Sequence, residues 1–298
     1  MTETTTFIAL GTAGGPVPKL HRSPPAHAVV SGDDTILVDC GEGAFQQLKR
    51  AGIDLQNVHH IILSHHHFDH IGSLFAGLGL NMMLHRQQTL HIYGPPGTQQ
   101  IIEGLLTACD VPHATGFGTK GGSLTHPRDF VAVHEITPKD VFTIGRIQIS
   151  CCENTHYRPE EEFGQDGPLS LSLRFDAPDR SIVFTGDTGP CQGLVEFASG
   201  AQLLVGELID IEIVMERMVA RNPDAPNARL AAMRHHMEAH HLTAEQLGEM
   251  ARQTGVEHVV AVHIGFDSLN AEAKPAYTAK IAIRYAGHVT IAEDLDRF

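Results

Sequence analysis

Short apolar runs alternate with amphipathic segments along the whole chain, and no low-complexity stretch or short repeat interrupts them. That alternation predicts an α/β fold. FIAL at 7–10 reads as a first strand and GTAGGPVP as the turn after it, while AHAVV and TILVD read as a strand pair separated by the turn residues SGDD. GAFQQLKRAG predicts a short helix, with Phe45 and Leu48 three positions apart and Gly52 as its stop. HHIIL at 59–63 predicts a buried strand, so the stretch LSHHHFDH falls on the loop at its C-terminal end. Open α/β sheets place their sites there.

The pattern restarts near residue 131, with strands expected in VAVHEI, IQISCC, LSLSLRF, SIVFTGD and LLVGEL. SIVFT runs into Gly186 and Asp187 much as HHIIL runs into the histidines. We therefore expect one domain over 1–298 made of two similar β-rich halves, about 1–130 and 131–298, facing each other with helices outside. TAEQLGEMARQTG predicts a helix opened by a Thr243–Gln246 capping box and ended by Gly255, and VVAVHIG a strand that closes on a histidine. Residues 113–126 and 158–168 are rich in glycine and charge and read as surface loops.

Composition narrows the function. A chain of 298 residues at 42% hydrophobic has enough apolar sequence for a sizeable core. There is no apolar run of eighteen residues, and the N-terminus enters a strand without a basic segment or cleavage site, so a soluble, cytoplasmic, non-membrane protein is expected. Five cysteines form no regular framework, and Cys151 adjoins Cys152, which favours reduced thiols. A net charge of -14 without any Lys/Arg-rich run disfavours extensive nucleic-acid binding. The 21 histidines are the anomaly, because imidazole is the commonest metal ligand.

Within the cluster, His65, His67, Asp69 and His70 follow the pattern H-x-H-x-D-H. At alternate positions of an extended segment His65 and His67 can point the same way, and Asp69 and His70 can serve a second position close by. Imidazole and carboxylate together suit Zn²⁺, Mn²⁺ or Fe²⁺. Four residues do not complete two metal shells, so distant partners are needed. His156 in ENTHYRP, Asp187 in FTGDTGP and His263 in VVAVHIG each end a strand-like run or begin the next loop. Two adjacent ions polarise an oxygen and acidify a water between them, which points to hydrolysis.

This constellation resembles the metallo-β-lactamase superfamily, whose fold is an αββα sandwich of two mixed sheets with a metal site at one edge. The resemblance implies two divalent ions, Zn²⁺ foremost: His65, His67 and His156 would hold one, Asp69, His70 and His263 the other, and Asp187 would bridge them. FIALGTAGGPVP, LVDCGEGAFQQL, FTGDT and HLTAEQLGEMARQTGVEHVVAVHIG further resemble the tRNase Z branch, which includes phosphodiesterase and arylsulfatase relatives. There a glutamate after a strand pairs with a histidine before the late helix, which the resemblance puts at Glu207 and His241. These two, with Asp69, are the expected catalytic residues, His241 assisting the leaving oxygen. Asp39 is expected to orient a ligand.

Departures from the branch also matter. Its typical members carry a long basic arm between the segments matching His156 and Asp187, where this chain has only 30 residues, and acidic ones among them. The branch's His-Glu-Ala-Thr signature is here Gly206, Glu207, Leu208, Ile209. Transfer-RNA maturation is thereby disfavoured. The expectation is a dinuclear metal-dependent hydrolase of a small-molecule ester, a phosphodiester or aryl sulfate ahead of a lactone or carboxylic ester. A non-catalytic metal-binding scaffold or sensor is the remaining alternative. Leu80, Met82, Met83 and Phe117 are candidates for an apolar pocket, and His21, Arg22, Tyr157 and Arg158 for anion contacts. The branch commonly dimerises, so a homodimer is expected, with 74–84 at the contact or buried as a core helix.

Overall fold

A computed structural model describes residues 4–116, 124–265 and 273–298. The strands are β1 (Thr6–Gly11), β2 (Ala26–Ser31), β3 (Asp34–Val38), β4 (His60–Ile62), β5 (Leu90–Gly94), β6 (Val131–Glu135) and β7 (Val141–Ile144). They continue as β8 (Ile147–Glu153), β9 (Leu171–Asp176), β10 (Ser181–Phe184), β11 (Leu203–Leu208), β12 (His258–Ile264), β13 (His288–Ile291) and β14 (Asp296–Arg297). Two seven-stranded sheets result, ordered β14-β1-β2-β3-β4-β5-β6 and β13-β12-β11-β10-β9-β8-β7, each mixing parallel and antiparallel pairs. The helices are α1 (Ala44–Arg50), α2 (Phe68–Ile71), α3 (Leu74–Met83), α4 (Thr98–Thr115), α5 (Gln192–Ala198), α6 (Ile211–Arg221), α7 (Asn227–His240), α8 (Ala244–Thr254) and α9 (Ala273–Ala282).

The strand period explains the layering. Successive side chains point to opposite faces, so Phe7, Ile36 and Ile62 enter the core between the sheets with Phe175, Phe184, Val205 and Val260. Their neighbours Ile8, Leu37 and Ile61 face outward, under the residues Leu48, Leu78 and Ile102 of α1, α3 and α4. On the far side Val183 and Leu204 pack against Leu194, Leu247, Met250 and Ile281 of α5, α8 and α9. Strands covered on both faces read as almost continuous apolar runs, as these do. The result is the expected αββα sandwich.

The boundary near 130 does not coincide with a sheet boundary. VAVHEI, expected to open the second half, forms β6 and pairs in parallel with β5, from Leu90↔Val131 to Gly94↔Glu135. A parallel pair needs a crossover connection, and α4 lies in it; that helix also absorbs residues 113–115 of the expected loop. Residues 117–123 of that loop, Phe117 included, lie outside the described residues. The first sheet also borrows its other edge from β14, where Ile8 pairs with Arg297. Just before β14, Asp294 accepts Thr12 N and Oγ1 through one oxygen and Ser23 N and Gln47 Nε2 through the other. The turn after β1 is thereby tied down.

The capping box on α8 is formed, and Gly255 ends the helix in the left-handed region at φ 70. All five cysteines are free thiols. Among the described residues no helix is long and apolar enough to cross a membrane.

Candidate metal centre

Asp39 is the foundation of the site. It follows β3 in the left-handed region, φ 57, which few non-glycine residues adopt. From there its fully buried carboxylate accepts Ser64 N and Ser64 Oγ, both at 2.8 Å, and meets His70 Nδ1 at 2.7 Å. One side chain therefore fixes the start of the histidine loop and makes His70 donate through Nδ1, leaving Nε2 for the site. Gly41 is required beside it: a Cβ there would overlap the backbone carbonyl of Asp69. Ser64 Oγ also lies 3.0 Å from His65 Nδ1, so the His65 ring too turns Nε2 inward.

The distant partners arrive from the ends of β8, β10 and β12. His156 places Nδ1 3.3 Å from the carbonyl of His240 and Nε2 2.9 Å from His67 Nδ1. Asp187 follows the left-handed Gly186, φ 61. His263 arrives through a β-bulge: Glu207 pairs with Val262 and Leu208 with Ile264, so His263 is the extra residue, at φ 47. A bulge re-aims a side chain, and here it sends the imidazole toward Asp187. Gly14 leaves room, since a Cβ would stand 2.6 Å from the His263 carbonyl oxygen.

All seven residues singled out from the sequence as ligands come together around Asp187. Its Oδ2 lies 3.2 Å from His263 Nε2, 3.9 Å from His156 Nε2 and 4.0 Å from His65 Nε2, and its Oδ1 lies 3.5 Å from His70 Nε2. Asp69 Oδ2 stands 3.5 Å from His263 Nε2 and 3.7 Å from His70 Nε2. Among the described residues five overlapping subsets could each hold an ion: His65, His67 and His156; His65, His70 and Asp187; Asp69, His70 and His263; His156, Asp187 and His241; and Asp187, Glu207 and His263.

The residues fit divalent cations. His65 Nε2, His70 Nε2 and Asp187 Oδ1 are buried and have no hydrogen-bond partner, which is costly in a protein interior unless a cation supplies the missing contact. Asp39, Asp69, Asp187 and Glu207 are all buried within this cluster, a concentration of negative charge that needs compensation.

Proton affinities follow the same logic. Burial alone would raise the Asp187 carboxyl, but His263 and His70 outweigh it and hold it well below the usual range. Burial is likewise overridden at Asp69, which His263 and His70 bring down to about 2. Burial would lower His263, yet Asp187, Asp69 and Glu207 lift it to about 10, and Asp187 with Asp39 lifts His70 in the same way. His65 and His156 are lowered chiefly by burial, His156 to about 3, as suits neutral ligands.

Glu207 and His241 lie beside this cluster. Glu207 Oε1 accepts Thr188 N at 2.6 Å and Oε2 meets His241 Nδ1 at 2.8 Å. Burial would lower His241, but the Glu207 charge and hydrogen bond raise it. Both clusters open onto a cavity of about 620 Å³, within the range of small-molecule sites, lined by His67, Asp69, His156, Asp187, His241 and His263.

The cavity's apolar wall differs from the expected one. Met82 is a buried core residue and Leu80 and Met83 are exposed on α3; none of them lines the cavity. Ile209, Val214, Met218, Met233 and Met237 do, all but Ile209 from α6 and α7. Arg158 is buried, paired with Glu153 at 3.1 Å and donating to the Gln165 and Pro168 carbonyls, so it braces its loop. Arg22 is spent on Thr12 and the Ala292 carbonyl. His21 is not in the cavity wall, whereas Tyr157 packs edge-on against His67 at 5.1 Å. Ser64 and the α6–α7 hairpin escaped sequence reasoning. The hairpin's signal was the helical spacing 214, 217, 218, 221 and 233, 236, 237.

Residues 34–264 match the sequence profile of the beta-lactamase superfamily domain. The ribonuclease Z of Mycobacterium avium is 30% identical over 97% of this chain and 95% of its own. The chain belongs to the metallo-β-lactamase superfamily, in the branch of tRNase Z and its phosphodiesterase relatives. Among solved structures, the metallo-β-lactamase fold protein YhfI from Bacillus subtilis superposes with a TM-score of 0.69 at 18% identity, covering 99% of this chain and 98% of that one. A diphosphatase of the PhnP family gives 0.66 at 14% identity, covering 99% and 97%.

Proposed function

We propose that this protein is a dinuclear metal-dependent hydrolase of a small phosphodiester. The observation that carries the reading is the convergence of five histidines and Asp69 on Asp187, with buried nitrogen atoms left open toward it. His65, His67 and His156 would hold one divalent ion, Asp69, His70 and His263 the other, and Asp187 would lie between them, with Zn²⁺ favoured by the nitrogen-rich set. When bound, such a pair supplies Lewis acidity at a phosphoryl oxygen and acidifies a water.

The chain's own groups supply the rest. Glu207, held by Thr188, keeps a proton on His241 Nδ1 and orients the ring into the cavity. His241 is then placed to protonate a leaving oxygen or stabilise its developing charge. Asp69 remains ionised and faces the same space. The names of the relatives favour phosphorus–oxygen cleavage over sulfate, lactone or carboxylic-ester hydrolysis, since a ribonuclease and a diphosphatase both break such bonds.

A small substrate is favoured by the cavity and by the segment between His156 and Asp187, which forms a tight loop, β9 and β10 without a projecting arm. A second reading, RNA 3′-end processing, is favoured by the ribonuclease Z relative. Initial rates on bis-aryl phosphate, aryl sulfate, aryl acetate, lactone and a precursor tRNA, with metal content measured on the same protein, separate these. A dominant diesterase rate with two metals supports the proposal, and cleavage of the tRNA alone replaces it with the second reading. A cytoplasmic location and a homodimer complete the proposal.

A further inference from the structure

The α6–α7 hairpin forms one wall of the cavity, and its composition is uneven along its length. Both helices meet the cavity with a stripe of helical spacing: Val214, Arg217, Met218 and Arg221 on α6, Met233, His236 and Met237 on α7. The ends nearest the metal cluster are fixed. α6 begins directly after Ile209 and its N-cap Asp210, whose side chain accepts Ile213 N, while α7 runs into His240 and His241. Moving outward along α6 the lining therefore runs Val214, Arg217, Met218 and Arg221, cationic groups interleaved with apolar ones and a cation at the outer end, with Arg221 about 10 Å beyond Val214 along the helix axis. Lys19 also lines the cavity.

Each of the two sets of side chains has a ligand chemistry. Methionines on two facing helices make an adaptable apolar surface for an alkyl or aryl group, and guanidinium groups one turn apart suit a carboxylate or phosphate. The hairpin meets the cavity with methionine, where base-stacking sites hold aromatic rings, and Phe68, which also lines the cavity, comes from α2; the chain carries a net charge of -14. Both features favour a small anion over a polynucleotide.

We propose that this hairpin is the specificity element of the site. It selects a phosphodiester whose second ester group is apolar and ends in an additional anionic group: the apolar part meets Met218, Met233 and Met237, and the anion meets Arg217 and Arg221. This rests on the phosphodiesterase reading, so two readouts are needed.

The first is kcat/KM of the metal-loaded protein on three 4-nitrophenyl phosphodiesters whose second group is methyl, phenyl or 4-carboxyphenyl. The phenyl diester should exceed the methyl one by at least about tenfold, as filling an apolar pocket does, and the carboxyphenyl diester should exceed the phenyl one by about tenfold, one added charge-assisted contact. Met218→Ser with Met233→Ser should collapse the first ratio; Arg217→Gln with Arg221→Gln should collapse the second. The second readout is calorimetric binding of methyl-, phenyl- and 4-carboxyphenyl-phosphonate to the same proteins, with the same order expected. If no diester is turned over but the phosphonates bind in that order, the diesterase reading fails and the pocket inference stands. Equal rates and affinities across each set, ratios untouched in the arginine variant, or a precursor tRNA cleaved faster than all three diesters would overturn it.

Discussion

Glu207 Oε2 lies 2.8 Å from His241 Nδ1, although 34 positions and two helices separate the residues in the chain. The Thr188 amide holds the other carboxylate oxygen, so the glutamate cannot rotate away without losing a buried hydrogen bond. The pair thereby fixes both the tautomer and the direction of the imidazole.

Replacing His241 with Ala should reduce kcat by about 10²–10⁴-fold for alkoxide leaving groups, the usual worth of a positioned general acid. A 4-nitrophenolate, which leaves without a proton, should suffer far less. A leaving-group series checks this, because log kcat should fall more steeply with leaving-group pKa in the variant. An unchanged slope refutes the role, and metal content should stay at the wild-type value.

Asp187→Ala removes the side chain on which both ligand sets converge. Turnover should nearly vanish and bound metal should fall from two equivalents to one or fewer, measured by elemental analysis after gel filtration. Full activity at normal metal content would end the dinuclear proposal.

Asp39→Asn keeps the shape of the side chain but removes the charge facing His70 Nδ1 at 2.7 Å. The metal affinity should drop by about 10–100-fold, as for other partners that orient a ligand. Competition with a chromophoric chelator reads this directly.

Chelation should lower the melting temperature, because the buried carboxylates lose their counter-charge. At a free metal concentration one hundredfold above Kd, binding adds about 2.7 kcal/mol. That corresponds to a rise of roughly 4 °C for a chain of this size. Scanning calorimetry with and without added Zn²⁺ is the check, and no difference would mean that the ions are not bound by the folded protein.

α3 turns Phe75, Leu80 and Met83 outward while Leu74, Leu78 and Met82 face the core. If the outer stripe is a contact between copies, light scattering should give twice the chain mass at working concentration, and Phe75→Glu should halve it. A monomer disposes of the homodimer.

The cluster around Asp187 was legible because side chains at strand ends leave a local trace: an apolar run, then His or Asp. Period-2 alternation likewise exposed most strands, and the Thr243–Gln246 box exposed α8. Three features left no such trace. β6 belongs to the first sheet because it pairs with β5 across α4, a long-range choice that the run VAVHEI does not encode. His263 is aimed by a bulge that exists only once β11 and β12 are in register. The cavity's apolar wall was misplaced because LNMM on α3 and the methionines of α7 look alike as residue types. Only the crossing of the chain decides which set faces the cavity.

The pairing of β14 with β1 bears on how the protein is made. Ile8 and Ala9 emerge early from the ribosome, yet their partners Arg297 and Asp296 come after every strand of the second sheet. Asp294, which ties down the turn after β1, is equally late. Until those residues are synthesised the outer edge of β1 is open and available to other chains. High contact order of this kind slows folding and lengthens that exposure. The nascent first half should therefore need shielding, and a competent metal centre should form only after translation of the final strand.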